Sequence, residues 1–170
     1  MKLFSITALI AATLLFQDWV IQKIDNRAIV SFPVKPTKEE LQGEPYYLAE
    51  SAGGYKCVVM ATNYGKQGVD SAHLAAYYGT SEGLKASEES LLKDFAGSKL
   101  ISSKSITVSG HITLDITIST GQKASDSQYD QMDYRAVIVG DKLYSLYFYY
   151  LAAHPKPELR MRFYNSFKVK

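Results

Sequence analysis

The sequence contains a single cysteine, Cys57, among its 170 residues. No disulfide can therefore form within the chain, even in an oxidising compartment, and stability must come from packing. Cys57 lies in the apolar segment CVVMA, where a cysteine is more often a buried small residue than a nucleophile. No cysteine adjoins the N-terminal apolar segment, so the sequence does not predict a lipoprotein.

Motifs for metal binding and catalysis are also missing. The three histidines are far apart and show no H-E-x-x-H spacing, and a single cysteine excludes C-x-x-C. There is no G-x-S-x-G motif and no glycine-rich phosphate-binding loop. We therefore expect a protein that is not an enzyme and that needs no metal and no cofactor.

Charge is low and balanced, with 21% charged residues and a net charge of +2. Loss of Lys2 with a leader would leave 18 basic and 17 acidic residues. Such a domain has no strong field to attract nucleic acid or acidic membranes. Hydrophobic residues make up 46% of the chain, and this composition and length predict one globular domain.

The longest apolar segment is LFSITALIAATLLF, which follows Lys2 and ends at Phe16. Its length fits a secretory signal and falls short of the roughly 20 residues that span a bilayer. We predict a signal peptide at residues 1–17, cleaved near Phe16 or Gln17, and a single domain at residues 18–170. The domain would be exported to a periplasm or to the extracellular space, with no integral span. Because no clean A-x-A site precedes Gln17, an uncleaved N-terminal anchor stays open as the alternative.

Apolar and β-branched segments predict an antiparallel sheet of about six strands. The segment Arg27–Phe32 is strand-like and stops at Pro33, while paired segments around Ser51–Gly54 and Gly140-Asp141 predict hairpins. From Ile106 to Ser119 apolar and polar residues alternate, which predicts one long strand with a polar face. The predicted strand that follows Gly140-Asp141 is apolar on both faces, which predicts layers on both sides of the sheet.

Helix signals occur in four places. Asp70 can cap a helix that ends before Gly79, and Ser87 can cap a helix through Phe95. A final helix begins at Pro157, with Leu159, Phe163 and Phe167 at intervals of four. Thr37 and Glu40 have capping-box spacing, which predicts about one helical turn. The fold class is therefore α+β, with helices on both faces of the sheet.

Four segments occur in an order typical of one family. They are Val30-Ser31-Phe32-Pro33, the Gly110-His111 step, the hairpin Tyr134–Tyr144, and Phe163–Lys168. Together they resemble the PsbP-like fold family, which also includes a Ran-binding nuclear import factor and many exported bacterial proteins of unknown role. The resemblance covers residues 27–169, with residues 65–86 unmatched.

The resemblance implies an α/β/α sandwich around an antiparallel sheet. For function it implies a non-enzymatic interaction or assembly module, although members bind unrelated macromolecules and a fold is not an activity. It also implies structural roles for the residues that carry it, with Phe32, Tyr144, Phe163 and Phe167 in the core and Pro33 and Gly140 at chain reversals.

Thirteen tyrosines are the one compositional excess. Tyrosine is enriched at protein interfaces, but its rings also fill the faces of sheets, so both interpretations stay open. Histidine and aspartate on the polar face of the predicted long strand add further candidates. The predicted binding residues are Tyr46, Tyr47, Tyr129, Tyr134, His111 and Asp115.

Three functional hypotheses follow, in order of preference. The first is an exported binding module that docks another protein or an envelope component through its sheet face or loops. The second is a carrier of a small hydrophobic ligand, with an aromatic pocket between sheet and helix. The third is a hydrolase that uses His111, Asp115 and Cys57. The sequence predicts no nucleic-acid partner and does not set the oligomeric state.

Overall fold

The computed structural model describes residues 19–41, 43–52, 54–121 and 129–169. The predicted signal peptide at residues 1–17 and its cleavage site lie outside the described residues. Within the described ranges, none of the helices is long and apolar enough to cross a membrane.

Ten strands and three helices make up the described part of the chain, with a short 3-10 helix at Tyr64–Gln67. The strands are β1 (Val20–Lys23), β2 (Ala28–Phe32), β3 (Thr37–Leu41), β4 (Glu44–Ser51), β5 (Tyr55–Asn63), β6 (Lys99–Val108), β7 (His111–Ser119), β8 (Gln131–Val139), β9 (Lys142–Tyr150) and β10 (Lys168–Val169). The helices are α1 (Ser71–Tyr78), α2 (Ser81–Asp94) and α3 (Pro157–Ser166).

The strands form two antiparallel sheets. The larger has seven strands in the order β3-β4-β5-β9-β8-β7-β6, and the smaller has three in the order β1-β2-β10. The predicted antiparallel sheet is confirmed, with one strand more than the expected six and a second small sheet. The hairpins at Ser51–Gly54 and Gly140-Asp141 are both present, since they join β4 to β5 and β8 to β9.

Helices cover both faces of the large sheet, as the apolar faces of β9 predict. On one face, α3 and the small sheet pack over a core that contains Phe32, Phe148 and Phe163, all fully buried. On the other face, α1 and α2 place Leu74 and Leu91 over the sheet. The α/β/α sandwich is therefore confirmed.

The segment from Ile106 to Ser119 is not one long strand, and that prediction is wrong. Ser109 and Gly110 have φ values of 51° and 80° and form a two-residue turn between β6 and β7. Such positive φ angles at both central positions match the twist of a hairpin. Ile106 pairs with Thr113 across the hairpin, so the apolar alternation changes face at the turn. The sequence hides this because the period of two continues unbroken through Gly110.

The predicted helical turn near Thr37 is also wrong. Residues 37–41 form β3, which pairs with β4 at the edge of the sheet. Its charged side chains are all exposed, as is typical of an edge strand that resists pairing with other chains. Pairing with a neighbouring strand thus outweighs the local capping signal.

Helix α1 begins and ends as predicted, whereas α2 begins seven residues before the start that a cap at Ser87 predicts. Its cap is Thr80, whose hydroxyl oxygen accepts the amide N–H of Gly83 at 3.1 Å. Ser87 lies inside the helix, where its hydroxyl donates to the Gly83 carbonyl. A Cβ atom on Gly83 would lie 2.2 Å from the carbonyl oxygen of Tyr77, so the close approach of α1 and α2 requires glycine.

Asp25 links the small sheet to β9. One carboxylate oxygen accepts the backbone N–H groups of Arg27 and Ala28, and the other accepts Lys142 Nζ at 2.5 Å and Tyr144 Oη at 2.8 Å. Burial opposes the charge of Asp25, but these donors outweigh it and lower the pKa of the carboxyl group. The carboxylate therefore stabilises the folded state at neutral pH.

Candidate functional site

Two charged residues interrupt the otherwise apolar strand β8. Asp133 and Arg135 alternate with core residues and face α3, with side chains exposed by only 6% and 11%. Buried charges are costly unless they are paired and hydrogen-bonded. Each of these two residues has such partners.

Arg135 forms a two-bond ion pair with Asp115 of β7. Its Nε donates to Asp115 Oδ1 at 2.7 Å and its Nη2 to Oδ2 at 2.9 Å. The guanidinium carbon lies 4.6 Å from the ring centroid of Tyr164 on α3, a cation–π contact. Arg135 is thus held between the sheet and the helix.

Asp133 is fixed from two sides. Thr117 Oγ1 donates to its Oδ1 at 2.5 Å, and Arg160 Nη1 of α3 donates to its Oδ2 at 2.6 Å. Burial disfavours the charge of Arg160, but the bond to Asp133 outweighs it and raises the pKa of the guanidinium. Tyr164 Oη donates to the Asp133 carbonyl at 2.8 Å, and burial raises the pKa of this phenol well above its usual value.

This charged cluster forms the floor of a groove beside α3. It has two depressions, of about 410 and 750 Å³, which share Arg135 and Tyr164. The first is bounded by β6, β7 and the exposed side of α3, and the second extends from the Ser109-Gly110 turn to β10. We call this surface the α3 groove, and its principal lining residues are Ser102, Lys104, Ile106, Val108, His111, Asp115, Asp133, Arg135, Arg160, Met161, Tyr164 and Lys168.

The charges available at the surface of the α3 groove are positive. Lys104 and Lys168 are exposed and form no ion pair with any residue of the described ranges. Both lining carboxylates, Asp115 and Asp133, are bound to arginines. Exposed apolar side chains, Val108 and Met161, lie beside these cations.

The six predicted binding residues do not form one site. His111 and Asp115 line opposite depressions of the α3 groove. Tyr46 is half-buried on β4 and its phenol donates to the exposed Glu39, while Tyr129 Oη donates to Glu50 at 2.8 Å. Unlike Tyr46, the other three predicted tyrosines are buried. Their exposures are 9% for Tyr47, 7% for Tyr129 and 7% for Tyr134.

The residues of the hydrolase hypothesis are not brought together as a catalytic group. Both carboxylate oxygens of Asp115 are bound to Arg135. Cys57 is fully buried in the core on β5, and burial raises the pKa of its thiol. Across residues 19–41, 43–52, 54–121 and 129–169, no three His, Cys, Asp or Glu side chains cluster closely enough to hold a metal ion.

A second concave site lies on the opposite face of the sheet, under α1 and α2. It encloses about 240 Å³ and is lined by five tyrosines and by Asp94 of α2, among other residues. We call it the tyrosine pocket, and its aromatic residues are Tyr64, Tyr77, Tyr78, Tyr134 and Tyr147. Its position between sheet and helix matches the pocket of the carrier hypothesis, but hydroxyl groups make up much of its lining.

Sequence reasoning missed the central residues of the α3 groove, which are Asp133, Arg135, Arg160 and Tyr164. One signal was present, because Asp133 and Arg135 are charges within an apolar strand and such charges require buried partners. Their partners could not be found from spacing, since Asp115 and Arg160 come from different elements. The register of β7 on β8 pairs Asp115 with Arg135, and the packing of α3 on the sheet brings Arg160 to Asp133.

No protein-family model matches the sequence, and no curated protein matches it. The fold, however, is shared with solved structures. The cyanobacterial PsbP protein CyanoP from Synechocystis sp. PCC 6803 is similar with a TM-score of 0.60 at 8% identity, over 91% of this chain and 94% of that one. The Ran-binding protein Mog1p from Saccharomyces cerevisiae is similar with a TM-score of 0.52 at 10% identity, over 91% and 96%. The chain therefore has the PsbP-like fold that its sequence resembles.

Proposed function

We propose that this protein is an exported, non-enzymatic module that docks another protein or an envelope component through the α3 groove. The observation that carries the proposal is the α3 groove, where residues of β6 and β7 line a depression beside α3. There a rigid charged floor lies under exposed cations and apolar side chains. Export is supported by the apolar N-terminal segment that ends at Phe16.

The rigidity of the floor favours a role in recognition. Arg135 is held by two bonds to Asp115 and by the Tyr164 ring, so little side-chain entropy remains to be lost on binding. Two of the five N–H donors of Arg135 are used by Asp115, which leaves others for a partner. A preorganised arginine of this kind is a common anchor at protein interfaces.

The fold comparison supports the same class of function. Mog1p, which has this fold, is described as a Ran-binding protein. A PsbP-like sandwich is therefore able to present a protein-binding surface. Because identity is 10%, the likeness supports the class of activity and does not transfer the partner.

The charges of the α3 groove indicate what the partner surface would carry. Lys104 and Lys168 are exposed cations, and Val108 and Met161 are exposed apolar side chains beside them. A complementary surface would place carboxylates next to apolar side chains. Electrostatic complementarity of this kind increases the association rate and makes binding sensitive to salt.

The proposal is tested by capture from a solubilised envelope fraction with three forms of the protein. The wild type is compared with K104E/M161E in the α3 groove and with the control K38E/L41E on the opposite edge strand β3. Each pair changes one exposed lysine and one exposed apolar residue to glutamate. Retained proteins are quantified by mass spectrometry.

We expect one or more proteins to be retained equally by the wild type and the control, and about tenfold less by the groove variant. Equal retention by all three forms would place the docking surface elsewhere. Fractionation of cells that express the full chain tests export separately, and accumulation in the cytosol would contradict that part of the proposal.

A further inference from the structure

The tyrosine pocket brings together rings from separate parts of the chain. Tyr64 comes from the 3-10 helix, Tyr77 and Tyr78 from the end of α1, and Tyr134 and Tyr147 from the sheet. Two pairs are in ring contact, with centroids 5.3 Å apart for Tyr77 and Tyr78 and 4.9 Å apart for Tyr134 and Tyr147. The pocket is thus lined by tyrosines on the helix side and on the sheet side.

The phenol groups of this pocket are partly satisfied by one another. Tyr64 Oη lies 3.4 Å from Tyr78 Oη, and Tyr134 Oη lies 3.1 Å from Ser145 Oγ. Burial raises the pKa of Tyr78, Tyr134 and Tyr147 above the usual value for tyrosine, so these phenols stay neutral in physiological conditions. Neutral rings present electron-rich faces to a ligand.

Asp94 supplies the one formal charge of the described lining. It is exposed, and it forms no ion pair within the part of the chain that the structure describes. The lining includes no lysine, arginine or histidine among the described residues. The cation–π contacts of the described residues involve Tyr149, Tyr164 and Trp19, and none of these rings belongs to the pocket. Aromatic faces with a single carboxylate attract a cation and disfavour an anion.

The size of the pocket limits the ligand. Its volume is about 240 Å³, whereas pockets for drug-sized molecules measure about 300–1,000 Å³. A small head group fits this volume better than a long-chain ligand does. Tyr77 is 48% exposed, so the lining of the pocket reaches solvent at this residue.

We propose that the tyrosine pocket binds a small alkylammonium cation, held by the faces of its tyrosine rings and by the carboxylate of Asp94. Aromatic cages of this composition recognise quaternary ammonium groups in proteins. The site lies on the opposite face of the sheet from the α3 groove and does not depend on the docking function proposed above.

The test compares choline with its neutral tert-butyl analogue, which has the same shape and no charge. Each is titrated into the purified protein by calorimetry, and amide NMR shifts identify the contacted residues. We expect saturable choline binding with shifts at α1, at the end of α2 and at β9. The neutral analogue should bind about tenfold more weakly or not at all.

Four variants locate the site. Y77L removes a ring at the mouth and D94N removes the charge, and each should weaken choline binding about 3- to 10-fold. Y77F keeps the ring and should bind choline as the wild type does. E89Q removes a carboxylate from the outer side of the same helix and should leave binding unchanged. Thermal midpoints measured in parallel show that each variant is folded.

Several results would overturn the proposal. Equal affinity for choline and the neutral analogue would show an apolar site and would favour the carrier of hydrophobic ligands. Absence of saturable choline binding to folded wild type would show that the pocket takes no such cation. Unchanged affinity in both Y77L and D94N would place any choline binding outside this pocket.

Discussion

The two faces of the seven-stranded sheet bury polar side chains with different kinds of partner. On the α3 face, alternate residues of β8 are Asp133 and Arg135, whose charges are paired with residues of β7 and α3. On the α1 and α2 face, the residue between them, Tyr134, is a neutral phenol that bonds to Ser145. One strand therefore supplies charge to one face and hydroxyl groups to the other.

This difference has an energetic consequence. Removal of one member of a buried ion pair leaves an uncompensated charge and costs about 3–5 kcal/mol. A neutral hydrogen bond contributes only about 0.5–1.5 kcal/mol. The α3 face is therefore the more rigid and the less tolerant of change, while the tyrosine face can vary with smaller loss.

Truncation of an aromatic core residue on the α3 face should cause the largest loss of stability. Phe163 is fully buried and contacts Phe32 and Phe148, with ring centroids 5.6 and 6.3 Å away. F163A should lower the free energy of unfolding by about 3–5 kcal/mol, because it removes apolar contacts and leaves a cavity. Urea unfolding monitored by circular dichroism measures this. The control M161A on the exposed side of α3 should change stability little, and equal losses in both would contradict the packing.

The ion pair between Asp25 and Lys142 should make a contribution to stability that depends on pH, unlike the neutral hydrogen bonds of the tyrosine face. D25N should cost about 2–4 kcal/mol at pH 7, since it breaks the partly buried pair with Lys142. The folded pKa of Asp25 is lowered, so its contribution is complete above the ordinary value of 3.8 and is lost as pH falls through the folded value.

The gap in urea midpoint between wild type and D25N should therefore be large at pH 7 and should narrow as the pH falls below 3.8. The conservative control D130N, on a different loop, should show no comparable pH-dependent gap. A gap that stays constant over this pH range would show that the D25N effect does not come from ionisation.

The contact between α1 and α2 tests the tyrosine face. Ala is normally better than Gly inside a helix by about 1 kcal/mol, so G83A would stabilise an isolated helix. Here the added Cβ would meet the Tyr77 carbonyl, and we expect a net loss of about 1–3 kcal/mol. G83A should also shift Tyr77 and weaken choline binding. The control S81A at the start of α2 should change stability by less, and stabilisation by G83A would contradict the close approach.

The smallest effect should come from the surface of the α3 groove. K104E/M161E changes exposed side chains, although Lys104 lies opposite Asp115 in the pairing of β6 with β7, so the unfolding free energy should fall by no more than about 1 kcal/mol. Partner capture should nevertheless fall. Chemical denaturation of the same preparations separates the two properties, and a large loss of stability would mean that reduced capture reflects unfolding.

Local signals predicted the elements that depend on local interactions. Asp70 and Gly79 mark the ends of α1 because a cap and a stop act within one turn of the helix. Residues that depend on distant partners were missed. β10 exists only because Lys168 and Val169 pair with β2, and β1 likewise needs β2. The turn at Ser109-Gly110 was missed because alternation has the same appearance in one strand and in a tight hairpin.

The α3 groove and the tyrosine pocket were harder to predict than the fold. His111 and Asp115 were identified from the polar alternation, and both line the α3 groove. Arg160 and Tyr164 lie on an amphipathic helix, where a sequence gives no reason to separate them from solvated residues. Likewise, the tyrosine excess was visible, but the convergence of five rings on one pocket depends on how α1 packs against β8 and β9.

The rate at which the single cysteine is labelled can report how often the large sheet opens. Cys57 lies in β5 between Ala49 and Phe148 of the neighbouring strands, with no solvent exposure and a pKa raised by burial. A thiol reagent can reach it only after these strands separate, so the rate of labelling reports how often the sheet opens. The same shielding keeps the thiol from forming mixed disulfides while the domain stays folded.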